Sequence, residues 1–171
     1  DLIAKQKEQQ KKVDQLNKKI EELISKQVRT TTTLTKEQQL IAGGFEANQG
    51  RMPWPIEKGF ISGYFGKHQH PIHEHVTIEN KGIYLQTVSG ADARAIYEGE
   101  VTWCAQMNGS YAVIVQHGNY RSVYSQLAKI YVKQGDKLQA KQAIGQIQTD
   151  TSEDNKTELY FQIYKDRSIL N

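Results

Sequence analysis

One cysteine, Cys104, stands in the whole chain, so no internal disulfide framework is available and no cysteine-based structural zinc site can form. Nor does any run approach the roughly 20 apolar residues that cross a bilayer as a helix, and the first residues lack the basic-then-apolar order of a secretion signal. The chain opens at Asp1 rather than Met, which leads us to expect a processed or trimmed chain from which a targeting segment has been removed. Charge of one sign is also scarce: 22 Lys and Arg against 19 Asp and Glu leave +3, without the basic footprint of a nucleic-acid binder. Apolar residues make up 37% of the chain, below the ~45% usual for globular domains, and Gln and Thr fill much of the difference. At 171 residues this is one domain and a remainder that is not core.

The remainder lies at the N-terminus. Residues 1–28 contain neither Gly nor Pro and are rich in Lys, Gln, Glu, Leu and Ile, which favour helix. Leu2, Val13, Leu16, Ile20 and Leu23 lie on one heptad seam, widened by Ile24 and Val28, so the spacing predicts a coiled-coil helix over 1–28 that needs a partner helix. Five Thr between Arg29 and Thr35 weaken a helix interior and predict a linker. Thr35 with Gln38 then forms a capping box for a short helix with Leu40, Ile41 and Phe45 on its apolar side, ending near Asn48. Residues 29–48 are thus a linker and short helix, and 49–171 the main domain.

In that domain every later segment reads as strand and turn. Alternation over 111–116 and 122–124, separated by His117-Gly118-Asn119-Tyr120, predicts a hairpin that His117 helps to close. Further strands fit 59–65, 76–79, 83–88, 93–97, 100–105 and 159–164, with Gly or Asn at most junctions. The expected fold is mainly β, a sandwich or small barrel.

An ordered series of motifs then becomes specific: Gly50-Arg51-Met52-Pro53-Trp54-Pro55, Gly63-Tyr64-Phe65-Gly66, Asn80-Lys81-Gly82-Ile83-Tyr84, the stretch from Ala93 to Val101, Val113 to Tyr120, Val123-Tyr124-Ser125-Gln126-Leu127, Val132 to Asp136, Ile144-Gly145 and Glu158-Leu159-Tyr160-Phe161. Over residues 45–171 the chain resembles the LytM or lysostaphin-type peptidoglycan metallopeptidase domain. With its helical arm it resembles, more narrowly, the EnvC-like proteins of bacterial division sites.

Catalytic members of that superfamily hold zinc through an H-x-G-x-D stretch and the second His of an H-x-H pair, and two further His act on the zinc-bound water and the oxyanion. Carried over by resemblance, the two ligands of the first stretch fall on Asn80 and Tyr84, the His of a Y-x-H-L stretch on Gln126, and the final pair on Glu158 and Tyr160. All five are substituted. A catalytic zinc needs about three strong donors and an open position for water, and a phenol with a reference pKa of about 10 must first lose its proton to bind. The resemblance therefore implies a domain without zinc hydrolysis and without a cofactor.

His68, His70, His73 and His75 crowd into a short stretch whose imidazoles have the chemistry to hold a transition metal. The EnvC-like group carries a similar G-x-H-x-H-P loop, matched by Gly66 to Pro71, and the resemblance makes it a polar loop beside the groove. What the resemblance implies for function is a metal-free groove lined by Asn80, Tyr84, Tyr124, Gln126, Glu158 and Tyr160 that binds and stimulates N-acetylmuramoyl-L-alanine amidases. Peptidoglycan is a further possible occupant, the coil would recruit division machinery, and the setting would be the periplasm or cell envelope. The short helix at 35–48 is placed to pack on the groove and block it. Two rival readings are a zinc endopeptidase that recruits ligands from the His68–His75 cluster, and a carrier module echoed by Val132 to Leu138, which lacks the modifiable Lys setting of such modules.

Overall fold

The computed structural model describes residues 2–30, 33–69, 77–152 and 154–170. The chain divides into two compact units, Asp1–Thr33 and Leu34–Asn171. The first is a single helix, α1 (Leu2–Thr30). It runs two residues past the expected end because the Thr30 hydroxyl donates to the carbonyls of Lys26 (3.0 Å) and Gln27 (3.1 Å), so the residue expected to interrupt the helix satisfies its last turn instead. On its solvated flank Gln10 donates to Asp14, one turn on, at 2.9 Å. Among the described residues no helix is long and apolar enough to cross a membrane.

The second unit opens with α2 (Lys36–Ala47). The strands follow: β1 (Phe60–Gly63), β2 (Gly66–Gln69), β3 (Thr77–Asn80), β4 (Ile83–Thr87), β5 (Asp92–Arg94), β6 (Gly99–Met107), β7 (Ser110–His117), β8 (Tyr120–Ile130), β9 (Lys137–Leu138), β10 (Ala143–Ile147), β11 (Thr149–Asp150), β12 (Lys156–Lys165) and β13 (Ser168–Ile169). They form one antiparallel sheet in the order β1-β4-β12-β8-β7-β6-β9, with β10 bridging β5 and β8, while β2 and β3 pair separately. The mainly β architecture matches the expectation. The expected strand at 59–65 ends at Gly63, β2 begins at Gly66 with a φ of 108°, and the strand expected at 93–97 ends at Arg94.

The core lies on one face of the long sheet, where Leu85, Val113, Val115, Tyr124, Leu127, Leu159 and Phe161 meet Ala93, Ile144 and Ile147. Phe45 of α2 belongs to the same core. It stacks on His117 (centroids 4.9 Å apart) and Tyr120 (4.7 Å) and meets Tyr97 edge-on at 5.9 Å. Thr35 caps α2 by accepting from Gln38 N at 3.1 Å, as expected. The other half of the capping box is absent, because the Gln38 side chain accepts from Gly118 N at 2.8 Å instead. Gly118 allows this approach: a Cβ there would sit 2.4 Å from that of Ala42. The helix is therefore fixed to the tip of the β7–β8 hairpin and contributes to the core. This corrects the expectation that residues 35–48 pack on the groove.

His117 is buried and does not cap its turn; it reaches inward. Its Nδ1 lies 2.7 Å from the Glu98 carbonyl and its Nε2 2.7 Å from Ser122 Oγ, which is 2.9 Å from Tyr124 Oη, and Ile96 N donates to Tyr124 Oη at 3.1 Å. A carbonyl can only accept, so Nδ1 carries the ring proton. Ser122 then donates to Nε2 and, with a single hydroxyl proton, accepts from Tyr124. Burial pushes His117 down to about 4, outweighing the Glu98 carbonyl that favours the charged form.

Two outcomes follow. His117 titrates near 6.5 when unfolded, so its contribution to stability is fully present above that pH and is lost as pH falls toward about 4, up to about 3 kcal/mol in all. Urea midpoints measured across that window should fall with acidification in the parent chain and lose most of this slope in His117→Gln. Phe45→Ala, by removing a buried ring, should cost about 3 kcal/mol in the same assay.

Candidate functional site

The period-two alternation of β12 sends Leu159 and Phe161 into the core and Glu158, Tyr160 and Gln162 to the opposite face. Register then decides their neighbours. Tyr160 stands opposite Tyr84 of β4 on one side and Ser125 of β8 on the other, while Glu158 stands opposite Gln86, itself opposite Phe60 of β1. Gly63 of β1 faces Tyr84. Three substituted positions, Tyr84, Glu158 and Tyr160, thus share one face.

The two phenol rings pack on each other, centroids 4.7 Å apart and inclined at 31°. Two glycines leave them room. A Cβ on Gly63 would come within 2.8 Å of Tyr84 Cδ2, and one on Gly82 within 3.1 Å of Tyr160 Cε1 and 2.6 Å of the Phe161 carbonyl. Asn80, buried at the end of β3, donates its side-chain amide to the Tyr64 carbonyl at 2.9 Å. Glu158 accepts from Ser62 Oγ at 2.5 Å through one oxygen, and its other lies 3.5 Å from Lys156 Nζ.

Gln126 lies in a β-bulge: Ser125 and Gln126 of β8 stand against the single residue Ala112 of β7, and Gln126 takes a φ of 67°. Its carbonyl accepts from Gln148 N at 2.9 Å. Tyr124 departs from the expectation. It pairs with Phe161 and Val113, so it points into the core and is wholly buried, with its hydroxyl held by Ile96 and Ser122. The motif placed Tyr124 beside Gln126 in sequence, but alternation puts its ring on the face opposite Tyr160. Burial pushes its pKa up to about 12.

Sequence reading missed Ser125 and Ser62. Ser125 faces Tyr160 with a buried hydroxyl that has no hydrogen-bond partner among the described residues. Counting two residues back from the core residue Leu127 sets Ser125 on the core face, and only the bulge puts it on the face of Tyr160. Ser62 becomes visible only through its bond to Glu158.

These groups do not fit the zinc that the fold's catalytic relatives use. The Asn80 amide is turned to a main-chain carbonyl, the phenols are packed ring on ring, and the Glu158 carboxylate is engaged by Ser62 and Lys156. Among the described residues no three His, Cys, Asp or Glu side chains gather as a metal site. His70, His73 and His75 of the histidine cluster lie outside the described residues, as does the side chain of His68.

The same architecture occurs in solved structures. Csd3 of Helicobacter pylori superposes with a TM-score of 0.57 at 21% identity, over 70% of this chain and 33% of that one, so the chain spans a third of Csd3. A structure of the SpoIIIAH and SpoIIQ complex matches with a TM-score of 0.59 at 25% identity, over 71% of this chain and 96% of that one. LytU matches with a TM-score of 0.53 at 25% identity, over 67% and 82%. No curated protein sequence matches the chain. The profile of the family described as Peptidase family M23 covers residues 78–171, from within β3 through β13. Since that stretch is more than half of the sequence and contains all five substituted positions, the chain belongs to peptidase family M23.

Proposed function

We propose that this chain is a non-catalytic member of the family, a murein hydrolase activator of the EnvC-like kind that binds N-acetylmuramoyl-L-alanine amidases and stimulates their cleavage of peptidoglycan during cell separation. The observation that carries the reading is the Tyr84–Tyr160 stack at two positions where catalytic relatives place zinc ligands. A zinc-bound water with a pKa lowered toward 7 is the nucleophile those relatives require, and an amide, two phenols and an engaged carboxylate supply no equivalent. What persists is an antiparallel frame bearing tyrosine, a residue type that concentrates binding energy at protein interfaces; of the stacked pair Tyr160 is wholly buried and Tyr84 partly accessible. A fold neighbour found in a two-protein complex, SpoIIQ with SpoIIIAH, supports a partner-binding role for such a frame. The coiled-coil seam of α1 would serve recruitment to the division machinery, and the setting would be the periplasm or cell envelope.

The position of α2 alters how this is tested. Truncation through residue 48 removes Phe45 from the core, so the informative cut lies between the two units, after Thr33. Purified protein should release no dye from labelled peptidoglycan alone, and should raise release several-fold when added to the amidase encoded in the same genome. Zinc should be far below one equivalent by elemental analysis. Release by this protein alone with stoichiometric zinc would overturn the activator reading and favour an endopeptidase that recruits the His68–His75 cluster.

A further inference from the structure

Three of the substituted positions have a common target. Asn80 holds the main chain at Tyr64 through its carbonyl, Glu158 holds Ser62 through its hydroxyl, and the Tyr84 ring packs on Gly63. All three converge on the consecutive residues Ser62, Gly63 and Tyr64. The segment they fix is β1 and its exit, and it carries two large aromatic side chains, Phe60 and Tyr64, each 60% exposed. Large exposed rings on a segment pinned at three points fit a recognition element, since anchoring lowers the ordering cost of binding and aromatic side chains carry disproportionate binding energy.

We propose that residues at the former zinc-site positions act as positioning residues that present Phe60–Tyr64 as the amidase-docking segment. This rests on the activator reading above. The occupant is an extended segment of the amidase polypeptide that adds to β1. Strand β1 ends the order of the long sheet and, among the described residues, pairs only with β4, so its other edge has the backbone chemistry that an added strand completes. The surface is also continuous with the site, because Phe60 lies in the cross-strand row of Gln86 and Glu158, and Gly63 in that of Tyr84 and Tyr160. A glycan strand offers no ladder of donors and acceptors at the spacing of a β-strand.

The test uses the full chain and the amidase of the same genome, with affinity read by titration calorimetry and β1 amides by hydrogen exchange. Phe60→Ala and Tyr64→Ala should each weaken binding about tenfold and lower stimulation in step, with the melting temperature of Phe60→Ala unchanged because that side chain is exposed. Amides from Phe60 to Tyr64 should gain protection when the amidase is added. Asn80→Ala and Glu158→Gln should speed exchange at Ser62–Tyr64 in the free protein and weaken binding, a combination that general destabilisation, monitored at Val113 to Val115, would not give. If the parent chain binds and stimulates while the Phe60 and Tyr64 variants bind equally well, or β1 gains no protection, the docking assignment fails and the activator reading stands. If the parent chain neither binds nor stimulates the amidase, both fall.

Discussion

Strand β12 is held from both sides, by β4 from Thr157 to Phe161 and by β8 from Tyr160 to Lys165, and the two ladders overlap at Tyr160 and Phe161. That double pairing is the constraint on which the site depends. A slip of one residue would carry Tyr160 and Glu158 into the core and turn Leu159 and Phe161 outward, so the hydrophobic pattern fixes the register and the register fixes the polar face. The residues at these positions thus stay in their places because the strand that bears them cannot move without losing the core.

The substitutions make sense within that frame. With Gly63 and Gly82 presenting bare backbone, the polar face of β4 and β12 admits two phenol rings packed at a tilt, which cover it with apolar surface. Charge is kept at one point only, Glu158, where a hydroxyl and an ammonium meet the carboxylate. Here Asn80, Tyr84 and Glu158 all meet β1 or its exit, so these positions hold a strand.

Much of this was legible beforehand, and the failures have physical causes. The N-cap at Thr35, the hairpin at Gly118-Asn119 and the long strands of the sheet follow from local chemistry and alternation. Strands β9, β11 and β13 are two residues each, too short to show a period, and exist only because neighbours pair with them. Gln38 was read as half of a capping box, but a glycine 80 residues away competes for its side chain. The motif alone sets Tyr124 in the groove, but a motif gives adjacency in sequence, whereas a strand sends adjacent residues to opposite faces. The bulge at Ser125-Gln126 hid the serine in the same way, since one extra residue resets the count.

The hydrogen-bonded series around His117 begins at Ile96 N and ends at the Glu98 carbonyl, two positions apart in one loop. The polar groups of β7 and β8 therefore complete a ring that returns to the segment it left, a buckle that the backbone of residues 96–98 closes. Tyr97 sits at its apex, directed at the bare backbone of Gly44. Any side chain at position 44 would meet the Tyr97 hydroxyl, so that half-buried ring would have to swing aside before α2 could carry anything larger than glycine there.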